Sequence, residues 1–154
     1  MNDNPDISLP WSDGDDFIAT KLILTCADEL LACLRDDFDH IPFPNHWDLP
    51  GGGREGTETA PECALRELQE EFGLRLPPDR LERAFAFASP VMPGRQSVFY
   101  TGQLSQVDIG AIHFGDEGQC WRLMPVAEYI THPHAVPHFR RRVAYCLGIP
   151  EPSW

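Results

Sequence analysis

Between residues 17 and 26 the chain reads FIATKLILTC, dense in β-branched and large apolar side chains, and after Ala27-Asp28-Glu29 a second such run, LLACLRDD, covers 30–37. Two apolar runs with so short a polar interruption predict a pair of neighbouring strands. The pattern breaks over 38–53, FDHIPFPNHWDLPGGG, where Pro, Gly, Asp and His mark a long loop ending in an extended approach to three glycines. Alternation returns in LERAFAFAS (81–89) and QSVFYTGQL (96–104), on either side of the loop SPVMPGR, and again in QCWRLM (119–124). PVAEYI (125–130) predicts a short helix and VPHFRRRVAYCL (136–147) a longer one, with Phe139, Val143 and Leu147 on one face. Strands on both sides of a central helix, with a second helix at the end, predict an α/β protein whose mixed sheet is covered on two faces.

The central helix carries the chemistry. Thr59 reads as its N-cap, Glu62 as the reciprocal half of a capping box, Pro61 as a first-turn residue and Gly73 as the stop. At about 100° per residue, Leu65, Leu68 and Phe72 share one sector, and Glu67, Glu70 and Glu71 crowd the opposite one. A solvated acidic face explains carboxylates on a surface. It does not explain Glu70 and Glu71 in the last turn, where the carbonyl ends already present partial negative charge and each acid costs roughly 0.3–1 kcal/mol. A hard divalent cation explains both features, since it takes oxygen ligands from one or two carboxylates plus substrate phosphates. The glycine run of Leu49-Pro50-Gly51-Gly52-Gly53-Arg54 leads into the helix and lets backbone groups approach a ligand, but no Lys-Ser/Thr pair follows it as a phosphate-cradling loop requires.

A length of 154 residues suits one core, expected over 16–154, preceded by a flexible or extended segment over 1–15. The formal charge of −12 excludes a protein that grips a nucleic-acid polymer through its backbone, although metal ions can invert the local charge for a small phosphate ligand. Five unpaired-looking cysteines suggest neither a disulfide framework nor a zinc site, but buried thiols in a reducing compartment. The acidic start lacks a signal-peptide pattern and no apolar run could span a bilayer, so a soluble cytoplasmic protein is expected.

Gly52, Glu58 and the run Arg66-Glu67-Leu68-Gln69-Glu70-Glu71-Phe72-Gly73-Leu74, at their spacing, resemble the complete signature of the Nudix hydrolases. The resemblance implies an α/β/α sandwich and Mg²⁺- or Mn²⁺-dependent hydrolysis of a nucleoside diphosphate linked to another group. It makes Glu70 and Glu71 metal ligands, Glu67 a member or support of that cluster, and Gly51 a carbonyl donor. Arg66 becomes an orienting residue that holds a glutamate. Metal ions that bridge phosphate oxygens, activate water and neutralise the leaving group meet the electrostatic demands of such a reaction, which also needs a base. Glu117, in the stretch Glu117-Gly118-Gln119 followed by Trp121, is similar to the glutamate that serves the metal in the MutT-like branch; Asp116 is the substitute.

The MutT-like resemblance implies conversion of a nucleoside triphosphate to the monophosphate and pyrophosphate. Where an amide would read the base, this chain has His132-Pro133-His134-Ala135-Val136-Pro137-His138. A nucleoside diphosphate sugar such as ADP-ribose is the alternative substrate, on the strength of Ser89-Pro90 beyond the signature. A non-catalytic nucleotide sensor is the second, disfavoured by the intact Glu67, Glu70 and Glu71. Arg54, Trp47 and His134 are the expected substrate contacts; Phe43, His46 and Trp121 could add a stacking surface. The histidine spacing in 132–138 matches no common metal site, Arg140, Arg141 and Arg142 are expected on a solvated helix face, and a homodimer is a family-level expectation.

Overall fold

The computed structural model describes residues 8–150 and Pro152; residues 1–7 of the expected N-terminal segment lie outside the described residues. Among the described residues eight strands form one sheet: β1 (Ser8–Leu9), β2 (Ala19–Cys26), β3 (Glu29–Leu34), β4 (Trp47–Asp48), β5 (Gly51–Gly53), β6 (Leu81–Ala88), β7 (Gln96–Gln103) and β8 (Cys120–Pro125). The helices are α1 (Ala60–Phe72), α2 (Gln106–Gly110), α3 (Val126–Tyr129) and α4 (Pro137–Cys146). The order β1-β6-β7-β2-β3-β4 is antiparallel except for β2 against β7, so the sheet is mixed.

Alternation along the strands divides the core into two layers, because successive side chains point to opposite faces. Leu22, Leu24, Leu31, Cys33, Val98 and Tyr100 face α1, where they meet Cys63, Ala64, Leu68 and Phe72. Ile23, Leu30, Ala32 and Phe99 face the other way, against Tyr129, Val136, Phe139 and Val143 of α3, α4 and the segment between them. This is an α/β/α sandwich. None of the helices among the described residues is long and apolar enough to cross a membrane.

The sheet forks where the site is built. β2 and β3 pair only beside their turn, Thr25 with Leu30 and Cys26 with Glu29. Beyond that point β2 takes the glycine strand as its neighbour, Lys21 opposite Gly51 and Thr20 opposite Gly52, while β3 takes β4 there and keeps β8 along the whole of its other edge. The Leu22 N–H reaches Pro50 O at 2.8 Å and closes the angle of the fork.

Three expectations change. The strand expected over 30–37 stops at Leu34, because Asp36 instead accepts the Asn45 N–H through its carbonyl and the Gly118 N–H through its carboxylate. Arg142 is not solvated: it is 1% exposed, lies against the Phe87 and Phe99 rings and donates to Ala88 O at 2.9 Å. One turn beyond Phe139, it shares the core face of α4. Of the five free cysteines four are buried, and Cys120 is exposed.

Candidate active site

Helix α1 begins as expected. The Thr59 hydroxyl accepts the Glu62 N–H and the Glu62 carboxylate accepts the Thr59 N–H. At its other end Gly73 adopts φ 65° and returns its N–H to Gln69 O. Two of the remaining carbonyls are answered by a loop: the His113 N–H donates to Phe72 O at 2.8 Å and the Gly115 N–H to Glu71 O at 2.9 Å. A Cβ on Gly115 would stand 2.8 Å from Glu70 O, so glycine is what lets the loop pass this closely. Two residues later the loop delivers Glu117 to the same end of the helix.

Glu71 and Glu117 line one cleft of about 330 Å³, together with Cys33, Arg35, Asp36, Asp48, Phe38, His40 and Ile41. Glu71 reaches under the glycine strand and accepts the Gly51 N–H at 2.7 Å. Burial pushes its carboxyl up to about 8, against the opposing charge of Lys21 and the Gly51 hydrogen bond. Glu117 is exposed at the cleft mouth.

Arg66 gathers the other acids. Its Nε and Nη2 hold Glu58 at 2.6 and 3.0 Å, its Nη1 holds Glu67 at 2.9 Å and Glu70 at 3.1 Å, and Nη2 also donates to Gly53 O. The Glu58 hydrogen bond is the main reason the guanidinium is held more firmly protonated than usual and the Glu58 carboxyl lies below its ordinary value. Burial pushes Glu67 up, with Arg66 opposing, whereas the Glu70 side chain is 56% exposed. Gly52 packs on Glu67 so closely that a Cβ there would lie 2.7 Å from its carboxyl carbon.

Beneath the glycine strand lies an ion-pair network that the sequence pattern did not single out. Lys21 Nζ donates to Asp48 Oδ1 at 2.9 Å, to Leu49 O at 3.2 Å and to Gly51 O at 3.5 Å; Arg35 Nη1 holds Asp48 Oδ2 at 2.8 Å. Burial pushes Asp48 up, but Lys21 and Arg35 outweigh it and keep the carboxyl below its ordinary value. Burial likewise opposes the charge on Lys21, and Asp48 and Glu71 reverse it. The signal was a lone lysine inside an apolar strand.

The acids at the C-terminal end of α1 therefore meet Arg66 and Lys21 as protein cations. Among the described residues no three His, Cys, Asp or Glu side chains converge around one metal-sized point, because Arg66 draws Glu67 and Glu70 toward itself and Glu71 turns to Gly51. The donor set nevertheless fits a hard divalent cation: carboxylate and carbonyl oxygens, with the Glu71 carboxyl pushed up by its burial.

The expected substrate contacts lie apart from this cleft. Arg54 stacks on Phe17 at 4.5 Å, pairs with Asp16 and donates to Glu58 O, in a separate pocket with Trp11 and Thr59 at the start of α1. Trp47 packs on the α4 side of the core, and its backbone pairs with the chain at His134 and Val136. The exposed His134 ring meets His46 at 5.9 Å and His132 at 6.1 Å, and His138 meets Phe43 at 5.8 Å. Pro90 sits in the exposed turn between β6 and β7.

A family model for the NUDIX domain matches residues 18–145, from the residue before β2 nearly to the end of α4. The chain belongs to the Nudix hydrolases. This Nudix chain is 37% identical over 84 residues to an m7GpppN-mRNA hydrolase of Danio rerio, a match covering 53% of this chain and 28% of that one. A bifunctional NMN adenylyltransferase/ADP ribose pyrophosphatase from Francisella tularensis, complexed with AMP and a Mn ion, superposes with a TM-score of 0.67 at 20% identity, over 87% of this chain and 42% of that one. A MutT protein from Methanosarcina mazei superposes with a TM-score of 0.62 at 16% identity, over 87% and 95% of the two chains. The Nudix chain thus spans under a third of the Danio relative, and the two solved structures share its fold.

Proposed function

We propose that this Nudix chain is a Mg²⁺- or Mn²⁺-dependent hydrolase that cleaves a phosphoric anhydride of a nucleoside triphosphate, or of a compound built on one, to release a nucleoside monophosphate. The observation that carries the reading is the convergence of Glu71, from the last turn of α1, and Glu117, from the loop docked on that turn, upon one cleft beside the glycine strand. The metal when bound supplies charge neutralisation along the polyphosphate and a water of lowered pKa. Glu71, Glu67, Glu70, Glu117 and the Gly51 carbonyl are the residues that would hold it.

The chain's own groups do the rest. Arg66 holds Glu67 and Glu70 in register by charge-assisted hydrogen bonds and is the orienting residue of the set. Glu117, exposed at the mouth, is the base that this reading assigns to the attacking water. Lys21 and Arg35 keep Asp48 ionised and engaged on the cleft floor, so its charge stays in the protein's own network. The Danio relative is named for m7GpppN-mRNA, in which a triphosphate bridges two nucleosides, and this supports a triphosphate unit over a sugar diphosphate.

The test is release of pyrophosphate and monophosphate from nucleoside triphosphates, with ADP-ribose alongside, in Mg²⁺ and in EDTA. Wild type is compared with Glu71→Gln and Glu117→Gln. Metal-dependent turnover reduced at least 100-fold in both variants is expected; turnover that survives either substitution, or EDTA, would overturn the assignment.

A further inference from the structure

The fork between β2 and β3 holds a cation of the protein's own. Lys21 leaves β2 opposite Gly51, and its side chain is only 14% exposed. Its ammonium donates to Asp48 Oδ1 at 2.9 Å, to Leu49 O at 3.2 Å and to Gly51 O at 3.5 Å, and the Phe139 ring lies 5.5 Å away. The Glu71 carboxyl is within electrostatic reach of the same ammonium. Carboxyl and carbonyl oxygens are the ligand types a hard divalent cation takes, and here a lysine meets them.

These contacts are unequal. Asp48 is engaged at both oxygens, since Arg35 Nη1 holds Oδ2 at 2.8 Å and the Leu49 N–H donates to Oδ1 at 2.6 Å. The Gly51 carbonyl is held loosely: 3.5 Å is the far limit of a hydrogen bond, and a carbonyl oxygen has two lone pairs to offer. The N–H of the same glycine donates to Glu71 at 2.7 Å. Gly51 therefore links the buried glutamate, through its N–H, to the ammonium, through its C=O. Lys21 and Arg35 share the carboxylate of Asp48, which leaves positive charge beside the carbonyl oxygen assigned to the metal.

We infer that Lys21 competes with the divalent cation for the Gly51 carbonyl and so holds down the affinity of the free site for metal. The inference rests on the proposed function in taking Gly51 O and Glu71 as metal ligands. Like charges repel more strongly where water is scarce, and the Lys21 side chain is largely shut off from it. A lysine with a purely structural task would act in the opposite sense. It would hold the glycine strand against Asp48, and its loss would loosen Gly51 and weaken metal binding. The sign of the change therefore separates the two roles.

The experiment titrates Mn²⁺ into metal-stripped protein by calorimetry, with no nucleotide present, and records the urea midpoint of each protein in EDTA. Wild type is run beside Lys21→Met, Lys21→Arg and Glu71→Gln. Lys21→Met is expected to bind Mn²⁺ about tenfold tighter than wild type while unfolding at a lower urea concentration, a split that lost packing alone would not produce. Lys21→Arg keeps the charge and should stay within about threefold of wild type. Should Lys21→Met not fold, Lys21→Gln, whose amide can still donate to Asp48, carries the same expectation. Weaker or unchanged Mn²⁺ binding in the neutral variants, or binding by Lys21→Arg as tight as theirs, would overturn the inference. If wild type binds Mn²⁺ and Glu71→Gln does not, while Lys21→Met binds no tighter, the inference fails and the proposed metal site stands. If neither wild type nor Lys21→Met binds Mn²⁺, the metal site fails and the inference falls with it.

Discussion

Glu71 is where burial, charge and chemistry meet. Its ordinary value is 4.5, and burial in the folded chain takes it to about 8. Between those limits the folded state binds a proton that the unfolded state has lost, so the metal-free protein should lose stability as pH rises through this window, by a few kcal/mol at most. Urea denaturation in EDTA at pH 5, 6.5 and 8 is expected to show this decline and to show it flattened in Glu71→Gln. Metal binding should favour the ionised carboxylate, so Mg²⁺ titration near pH 7 is expected to release protons from wild type and fewer from Glu71→Gln. A rising or flat wild-type profile would remove Glu71 from the buried position given to it.

Adjacent glycines in β5 separate two kinds of constraint at the level of elements. Gly51 has φ +133°, and a Cβ there would lie 2.2 Å from Thr20 O, so the clash is with the backbone of β2. Gly51→Ala is expected to destabilise the fold by roughly 2–5 kcal/mol, as a lower urea midpoint. A Cβ on Gly52 would meet only the end of the flexible Glu67 side chain. Gly52→Ala should therefore keep stability within about 1 kcal/mol, yet depress metal-dependent turnover by displacing Glu67. Thr59→Ala should cost about 1 kcal/mol through loss of the cap, without a change in kcat. Helix α1 was legible from Thr59 to Gly73 because its caps and its signature are local. The cap of α2, Ser105 with Asp108, was equally local and passed unread. What could not be read was long-range: Lys21 meets Asp48 across the fork, Arg35 reaches Pro42, and the 113–115 loop closes the end of α1. Arg54, expected as a substrate contact, has its guanidinium engaged by Asp16, Glu58 and Phe17, partners that only the fold brings together.

For the whole molecule, the two-layered core was visible as alternation, but its polar members were not. Arg142 looked like one of three surface arginines, and only the packing of α4 on β6 and β7 shows that it faces Phe87 and Phe99. Arg142→Ala is expected to lower stability by about 3 kcal/mol, measured by urea unfolding, with turnover of the remaining folded protein unchanged. Ligand linkage acts at the same scale: Mg²⁺ at 100 times its dissociation constant should add about 2.7 kcal/mol, a rise of roughly 5–10 °C in Tm.

The fork between β2 and β3 makes the domain modular. One prong, β2 with the glycine strand, faces α1 and its glutamates; the other, β3 with β4 and β8, carries the 36–46 segment and its rings. Because β2 and β3 pair only beside their turn, residues 37–41 could be exchanged for another loop without shifting the register of the glycine strand on β2. The 37–41 loop and the glycine strand would then be separately editable in one small domain.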